Sequence, residues 1–490
     1  MPVDFLTSDQ KQNYGCYAAE PNDVQLARYF HLDERDLAFI NQRRGKHNRL
    51  GIALQLTTAR FLGTFLTDLT QVLPGVQHFV AVQLNIHRPE VLSRYAERDT
   101  TLREHTALIK EYYGYHEFGD FPWSFRLKRL LYTRAWLSNE RPGLMFDFAT
   151  AWLLQNKVLL PGATTLVRLI SEIRERANQR LWKKLAALPN KWQAAQVMEL
   201  LVIPEGQRVS ALEQLKKGPV TVSGPAFNEA LERYIRLRSL EFSRLNFSGL
   251  PAIQLRNLAR YAGMASVKYI ARMPQQRKLA VLTAFVKAQE ITALDDAVDV
   301  LDMLILDIIR EAKKTGQKKR LRTLKDLDQA ALLLARACAL LLDDNTDVPD
   351  LRQVIFKCVP KNRLAESVSK VNELARPQNN NFHDEMVEQY GRVKRFLPAV
   401  LRDLHFRAAP AGEHVLAAIH YLAELNGSKK RILDDAPEHI ITGPWKRLVY
   451  DAEGRIQRAG YSLCLLERLQ DALRRRDIWL ENSDRWGEDR

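Results

Sequence analysis

Apolar residues recur along this chain at steps of three and four, the spacing that places side chains on one face of an α-helix. Alternating β-branched runs are nearly missing, and VTVS at 220–223 is too short to build a sheet. The pattern predicts an all-α, multi-domain protein. Its clearest stripe is Leu166, Ile170, Ile173, Ala177 and Leu181, which predicts one long helix over 159–185. Pro161 and Gly162 stop whatever precedes it, and Thr164 is the expected cap for its first amides. A second apolar segment, 144–154, lies just upstream, so the pair reads as helix, turn, helix.

Nearer the N-terminus, Asp23 is expected to cap a short helix through residue 32. Asp33 and Asp36 have the spacing of a capping pair for a second helix through residue 41. Gly45 then breaks the pattern, and Leu50, Ala53, Leu54, Thr57 and Phe61 resume it. A helical region over 74–112 leads into an aromatic cluster, YYGYHEFGDFPWSF at 112–125. Aromatics beside Gly and Pro suit a packed elbow between domains, with stacking on unpaired bases as the other reading. KKGPVTVSGP at 216–225 reads as a linker. From residue 294, LDDAVDVLDMLILDIIREAKK predicts a coiled or bundled helix.

Charge adds a partner to this picture. The 490 residues carry a formal net charge of +15, and all of the excess falls between residues 101 and 400. Cations in that number suit a polyanion, because each phosphate neutralised releases condensed counterions. No apolar run approaches the roughly 18 to 20 residues that span a bilayer, and no signal peptide is visible, so a cytoplasmic location is expected. The four cysteines are scattered singly, without the paired spacing of a zinc site or redox pair.

Two basic clusters are candidate contacts to duplex DNA. One lies on the 159–185 helix and comprises Thr165, Arg168, Arg174, Arg176, Arg180, Lys183 and Lys184; such a helix can lie in a major groove. The other crowds the start of the helix after Gly45, with Arg43, Arg44, Lys46, His47 and Arg49. That end of a helix favours anions. Solvated charged faces are the plainer alternative for both. Lys318, Lys319 and Arg320, within the dense run KKTGQKKRLRTLKDLD, are expected on an exposed turn and helix start, where they would add non-specific phosphate contact. Arg256, Arg260, Lys268, Arg272, Arg277 and Lys278 form a further set able to track a backbone.

Two acidic groupings tempt a metal-site reading. Asp295, Asp299 and Asp302 share a face, and are read as first-turn carboxylates that complement a helix dipole. His383, Asp384, Glu385 and Glu388 follow an Asn run and are read as a solvated acidic first turn after a cap. No phosphate-binding GK[ST] loop, HExxH, GxSxG or repeat period occurs. No catalytic, metal or cofactor residue is assigned.

Many segments taken in order resemble one family: MPVDFLTSDQKQNYG, LARYFHLDERDLAFI, RRGKHNRLGIALQL, ARFLGTF, RLLYTRAWLSNERPGLMFDFATAWL, LPGATTLVRLISEIRERANQRLWKKLA, LARYAGMASVKYIARM and FHDEMVEQYGRVKRFLP. They look like the N-terminal half of transposases of the Tn-three family, the class II replicative transposons, and the resemblance spans essentially the whole chain. It implies two helix-turn-helix-type domains that recognise terminal inverted repeats, over 1–125 and 126–215. A helical region at 226–290 with possible backbone contacts would follow, then a helical bundle at 291–490 for dimerisation and connection. In the family an RNase H-like domain with divalent metals, magnesium being expected, cuts and joins strands beyond the point matching residue 490. The resemblance therefore sets the expectation that this chain alone is not an enzyme, binds transposon-end DNA near the bacterial nucleoid, and belongs to a homodimer when full length. The alternative is a helical interaction or regulatory protein with an RNA or acidic protein partner, or a repressor occupying the ends.

Overall fold

The computed structural model describes residues 5–97, 99–342, 351–374 and 382–489. Helices dominate, as the periodicity predicts. The described strands are four short ones: β1 (Phe406–Ala408), β2 (Ile432–Leu433), β3 (Ile456–Gln457) and β4 (Ile478–Leu480). They form two antiparallel pairs, β1 with β4 (Phe406 opposite Leu480) and β2 with β3. Strands this short have too few alternating positions to show in a sequence. Residues 220–223 form no strand.

The chain divides into two compact units, one of Met1–Asn190 with Asn246–Ala284, the other of Lys191–Leu245 with Phe285–Arg490. In the first unit, helix α1 (Glu34–Asn41) starts at the expected capping box. Asp33 accepts from the Asp36 amide at 2.7 Å, and the Asp36 carboxylate accepts from the Asp33 amide at 3.2 Å. The cap before it is not Asp23. Asn22 and Gln25 make the reciprocal pair, which leaves Asp23 as the first helical residue.

Helix α2 (Lys46–Leu62) runs between Gly45 and Gly63, whose positive φ angles of 84° and 74° favour residues without a Cβ. Leu50, Ile52, Leu54 and Leu56 are all fully buried, so α2 is enclosed on several sides at the centre of the first core. Helix α3 (Asp99–Tyr113) closes this core through Ile109 and Tyr113.

The second core of the unit joins helices α4 (Trp123–Leu137), α5 (Pro142–Gln155) and α6 (Ala163–Ala186). Leu127, Leu131, Phe146 and Leu153 meet Leu166, Ile170 and Ile173. The five stripe residues are all buried, as expected. Thr164, however, does not cap α6: the cap position is Gly162, with no side-chain hydrogen bond, and Thr164 lies exposed. Helix α7 (Ala252–Met264) satisfies the end of α4, where the Gln254 amide donates to the carbonyls of Ala135 and Ser138 at 3.0 and 2.7 Å.

Helix α8 (Gln275–Leu341) belongs to the first unit as far as Ala284 and to the second beyond it. In the second unit it buries Phe285, Leu294, Val298, Leu301 and Ile305. Helix α9 (Arg458–Arg475) is the centre of the C-terminal part, with Tyr461, Leu465, Leu466 and Leu469 inside.

Two expectations fail here for one reason: α8 starts at Gln275, before residue 294. Asp295, Asp299 and Asp302 lie well inside it and cannot serve its N-terminal dipole. They bind a segment from the far end of the sequence instead. Arg485 pairs with Asp295, Asp296 and Asp299, Ser483 and Trp486 donate to Asp295 and Asp299, and Arg474 clasps Asp302 at 2.9 Å. The basic run from Lys313 likewise lies within α8, not on a turn.

Candidate nucleic-acid interface

The five basic-cluster residues at the mouth of α2 have separate places. The Arg43 guanidinium lies 5.6 Å from the Phe39 ring centroid and Arg43 is half-buried. Burial, with Arg43 as a nearby cation, holds the His105 imidazole down to about 4, so that ring is neutral at ordinary pH. Arg49 turns back and donates to the carbonyls of Arg43 and Asn41 at 3.0 and 3.5 Å, fastening the turn, and His47 is half-buried. Arg44 and Lys46 are exposed. They are the two that face solvent beside the first amides of α2.

On α6 the same sorting follows from the 100° step between residues. Arg168 is exposed on the side opposite the stripe of Ile170, Ala177 and Leu181, and Arg176 and Lys183 are exposed on its flank. Arg180 and Lys184 lean toward α4. The Arg180 guanidinium sits 4.9 Å from the Trp136 centroid and donates to the Tyr132 hydroxyl at 3.2 Å, and Lys184 lies 5.9 Å from the same ring. Arg174 is on the other flank, half-buried, with burial lowering its pKa. Thr165 is half-buried at the first turn. A groove of ≈ 700 Å³ runs along this face, lined by Phe5, Pro142, Arg168, Arg174 and Arg176.

Beyond α6, Arg277 stacks on Trp182 at 4.8 Å, whereas Arg256, Arg260, Lys268 and Arg272 are exposed, and Lys278 is half-buried. In the second unit, Lys318 is exposed, but Lys319 pairs with Glu388 at 2.8 Å. The Arg320 side chain lies outside the described residues.

The acidic grouping at 383–388 is not a solvated turn. His383 and Glu385 are buried, Asp384 pairs with Arg447 at 2.5 Å, and His383 faces Glu467 at 3.4 Å. Glu467 also accepts from the Trp445 indole at 2.6 Å. Burial would raise that carboxyl, but His383 and Trp445 outweigh it and hold the pKa below the ordinary value. The residues before it that the sequence offered as a polar run, 379–381, lie outside the described residues.

Both acidic groupings are thus engaged by cations, indole or hydroxyl donors. They do not fit a divalent-metal centre, and among the described residues no group of three His, Cys, Asp or Glu could hold a metal ion. Among the same residues, no helix is long and apolar enough to cross a membrane.

A basic, mostly helical protein whose first unit presents two cationic helix surfaces is the class that fold and surface define. Residues 5–173, which span both cores of that unit, match a family described as "Domain of unknown function (DUF4158)". The chain is 30% identical over 484 residues to the transposase for transposon Tn501 of Pseudomonas aeruginosa, covering 99% of this chain and 48% of that protein. It is 29% identical over 460 residues to the transposase for transposon Tn3926 of Escherichia coli, covering 94% and 46%. To the transposase for transposon Tn1546 of Enterococcus faecium it is 25% identical over 489 residues, covering 98% and 48%. Over nearly its whole length the chain is similar to transposases of Tn-three-type transposons. It spans about half the length of the curated relatives it matches.

These matches overturn one expectation. The chain was expected not to be an enzyme in its own right, but the relatives that match it over 94–99% of its length are transposases.

Proposed function

We propose that this chain acts as a transposase, and that its first unit recognises the terminal inverted repeats of a replicative transposon in double-stranded DNA. The observation that carries this reading is the outer face of α6. Arg168, Arg176 and Lys183 project from a helix held rigidly by the α4–α5–α6 core, with no neighbouring carboxylate pairing with them among the described residues. A helix so presented can enter a major groove, where arginine can bind a guanine edge through two hydrogen bonds. Arg44 and Lys46 would give the first core its own contact at the mouth of α2, with phosphate as the natural target.

In this reading residues 1–125 and 126–215 act as recognition modules, 226–290 follows the backbone, and 291–490 serves dimer assembly and connection. Lys318 and Arg320 add salt-dependent affinity. Strand cleavage and joining by the whole protein, its magnesium, and its place at the nucleoid in the bacterial cytoplasm belong to the same proposal. A gel-shift comparison tests the recognition step. Replacing Arg168 and Arg176 with Ala should lower end-versus-random discrimination by about 1–3 kcal/mol per lost base contact. Unchanged discrimination in the double variant refutes the assignment.

A further inference from the structure

We infer that the outer stripe of helix α4 is a binding surface for unpaired DNA bases, a contact that deepens the proposed DNA-binding function and rests on it. The aromatic cluster at 112–125 separates into two groups in the folded chain. Tyr113 is buried, and Trp123 packs 5.0 Å from His116 and 6.2 Å from Trp152, so these rings are packed as expected, within one compact unit and not between two. Phe121 and Phe125 instead face solvent, 83% and 58% exposed, with ring centroids 6.5 Å apart. Packing gives no account of two neighbouring phenyl rings in water.

The helical step from Phe125 brings Lys128, Arg129, Tyr132 and Trp136 to the same side, opposite the buried Leu127 and Leu131. Lys128 and Arg129 are exposed and pair with no carboxylate among the described residues. At the far end, Arg180 and Lys184 of α6 lie over Trp136, and Arg180 holds the Tyr132 hydroxyl. From Phe125 to Trp136 rings and cations therefore alternate over about 16 Å of one helix face, at 1.5 Å per residue.

That alternation has a chemical partner. In a single strand the base faces are open to stack on flat rings while phosphates meet the cations, and every base offers such a face. A duplex hides its base faces, so it would use the cations and leave the phenyls in water. Unstacked bases engage both kinds of side chain.

Fluorescence anisotropy with a labelled single-stranded oligothymidine and the full chain tests the inference. The wild-type chain should bind it, and the double substitution Phe121→Ala with Phe125→Ala should weaken binding roughly tenfold or more. Phe121→Leu with Phe125→Leu, which keeps apolar bulk but removes the flat rings, should weaken it comparably. Duplex-end affinity and thermal unfolding should hold in both variants. No affinity for the strand, or a Leu variant equal to wild type, overturns the inference. If strand binding depends on the rings while ends and scrambled duplexes bind alike, the stripe stands and end recognition falls.

Discussion

Asp36→Asn isolates an ion pair that ties three helices of the first core together. Asp36 is 1% exposed, and both its oxygens bind the Arg60 guanidinium, at 2.7 and 2.5 Å. It also accepts from the Tyr113 hydroxyl at 2.8 Å, tying α1 to both α2 and α3, and completes the cap of α1. The amide keeps the size of the side chain but removes the charge, so Arg60, mostly shielded from water, loses its counterion. Breaking a buried pair from one side costs about 3–5 kcal/mol. Against a typical domain stability of about 5–15 kcal/mol, this is a large fraction.

The same residue sets a pH dependence. Burial pushes the Asp36 carboxyl up, but Arg60 and Tyr113 outweigh it, and the folded pKa lies below the ordinary value. Its contribution is therefore present above the unfolded pKa of about 3.9 and is lost as pH falls through the lower folded value. Urea unfolding at neutral and acidic pH, with hydrogen exchange at the amides of α1 and α2 to locate the loss, measures both effects. Wild type and variant should differ by several kcal/mol at neutral pH and converge in acid. A difference below about 1 kcal/mol at neutral pH would refute the reasoning.

Other consequences are equally concrete. Gly51→Ala places a Cβ 2.3–2.5 Å from Tyr95 ring atoms in the fully buried part of α2, so thermal unfolding should show about 1–3 kcal/mol of destabilisation. Arg485→Ala removes the shared guanidinium from Asp295, Asp296 and Asp299 and should increase hydrogen exchange in the 478–486 segment, with no change in exchange at α2. Arg44→Ala with Lys46→Ala should reduce duplex affinity and flatten its salt dependence, whereas Arg49→Ala should chiefly lower the thermal stability of the α1–α2 turn; equal salt slopes for the two variants would contradict the sorting of these residues.

Local signals in the sequence were read well where the partner is also local. The Asp33–Asp36 box, the glycine at 45 and the stripe of α6 all depend on neighbours within one or two turns. Signals whose partner lies far away were misread. Asp295, Asp299 and Asp302 resemble first-turn carboxylates until Arg474 and Arg485 arrive from more than 170 positions along the chain. His383 and Glu385 look solvated until Trp445, Glu467 and α8 enclose them.

Charge alone also did not separate Arg168 and Arg176 from Arg180. All three are arginines on one amphipathic helix, and only the position of Trp136 on α4 turns Arg180 aside. The exposed pair Phe121 and Phe125 carried a usable sign: they sit at i and i+4, with Lys128 and Arg129 one turn further on. The cap of α6 was misplaced because Gly162 takes the position with its backbone alone, and no side-chain bond was needed to end the turn.

End recognition is tested most directly by titrating the full chain with a terminal-repeat duplex and a scrambled duplex of equal length at several ionic strengths. Phosphate contacts weaken for both as salt rises, while base contacts survive screening. The account predicts that the terminal repeat keeps its advantage at high salt. Equal affinity for the two duplexes at every ionic strength would contradict it.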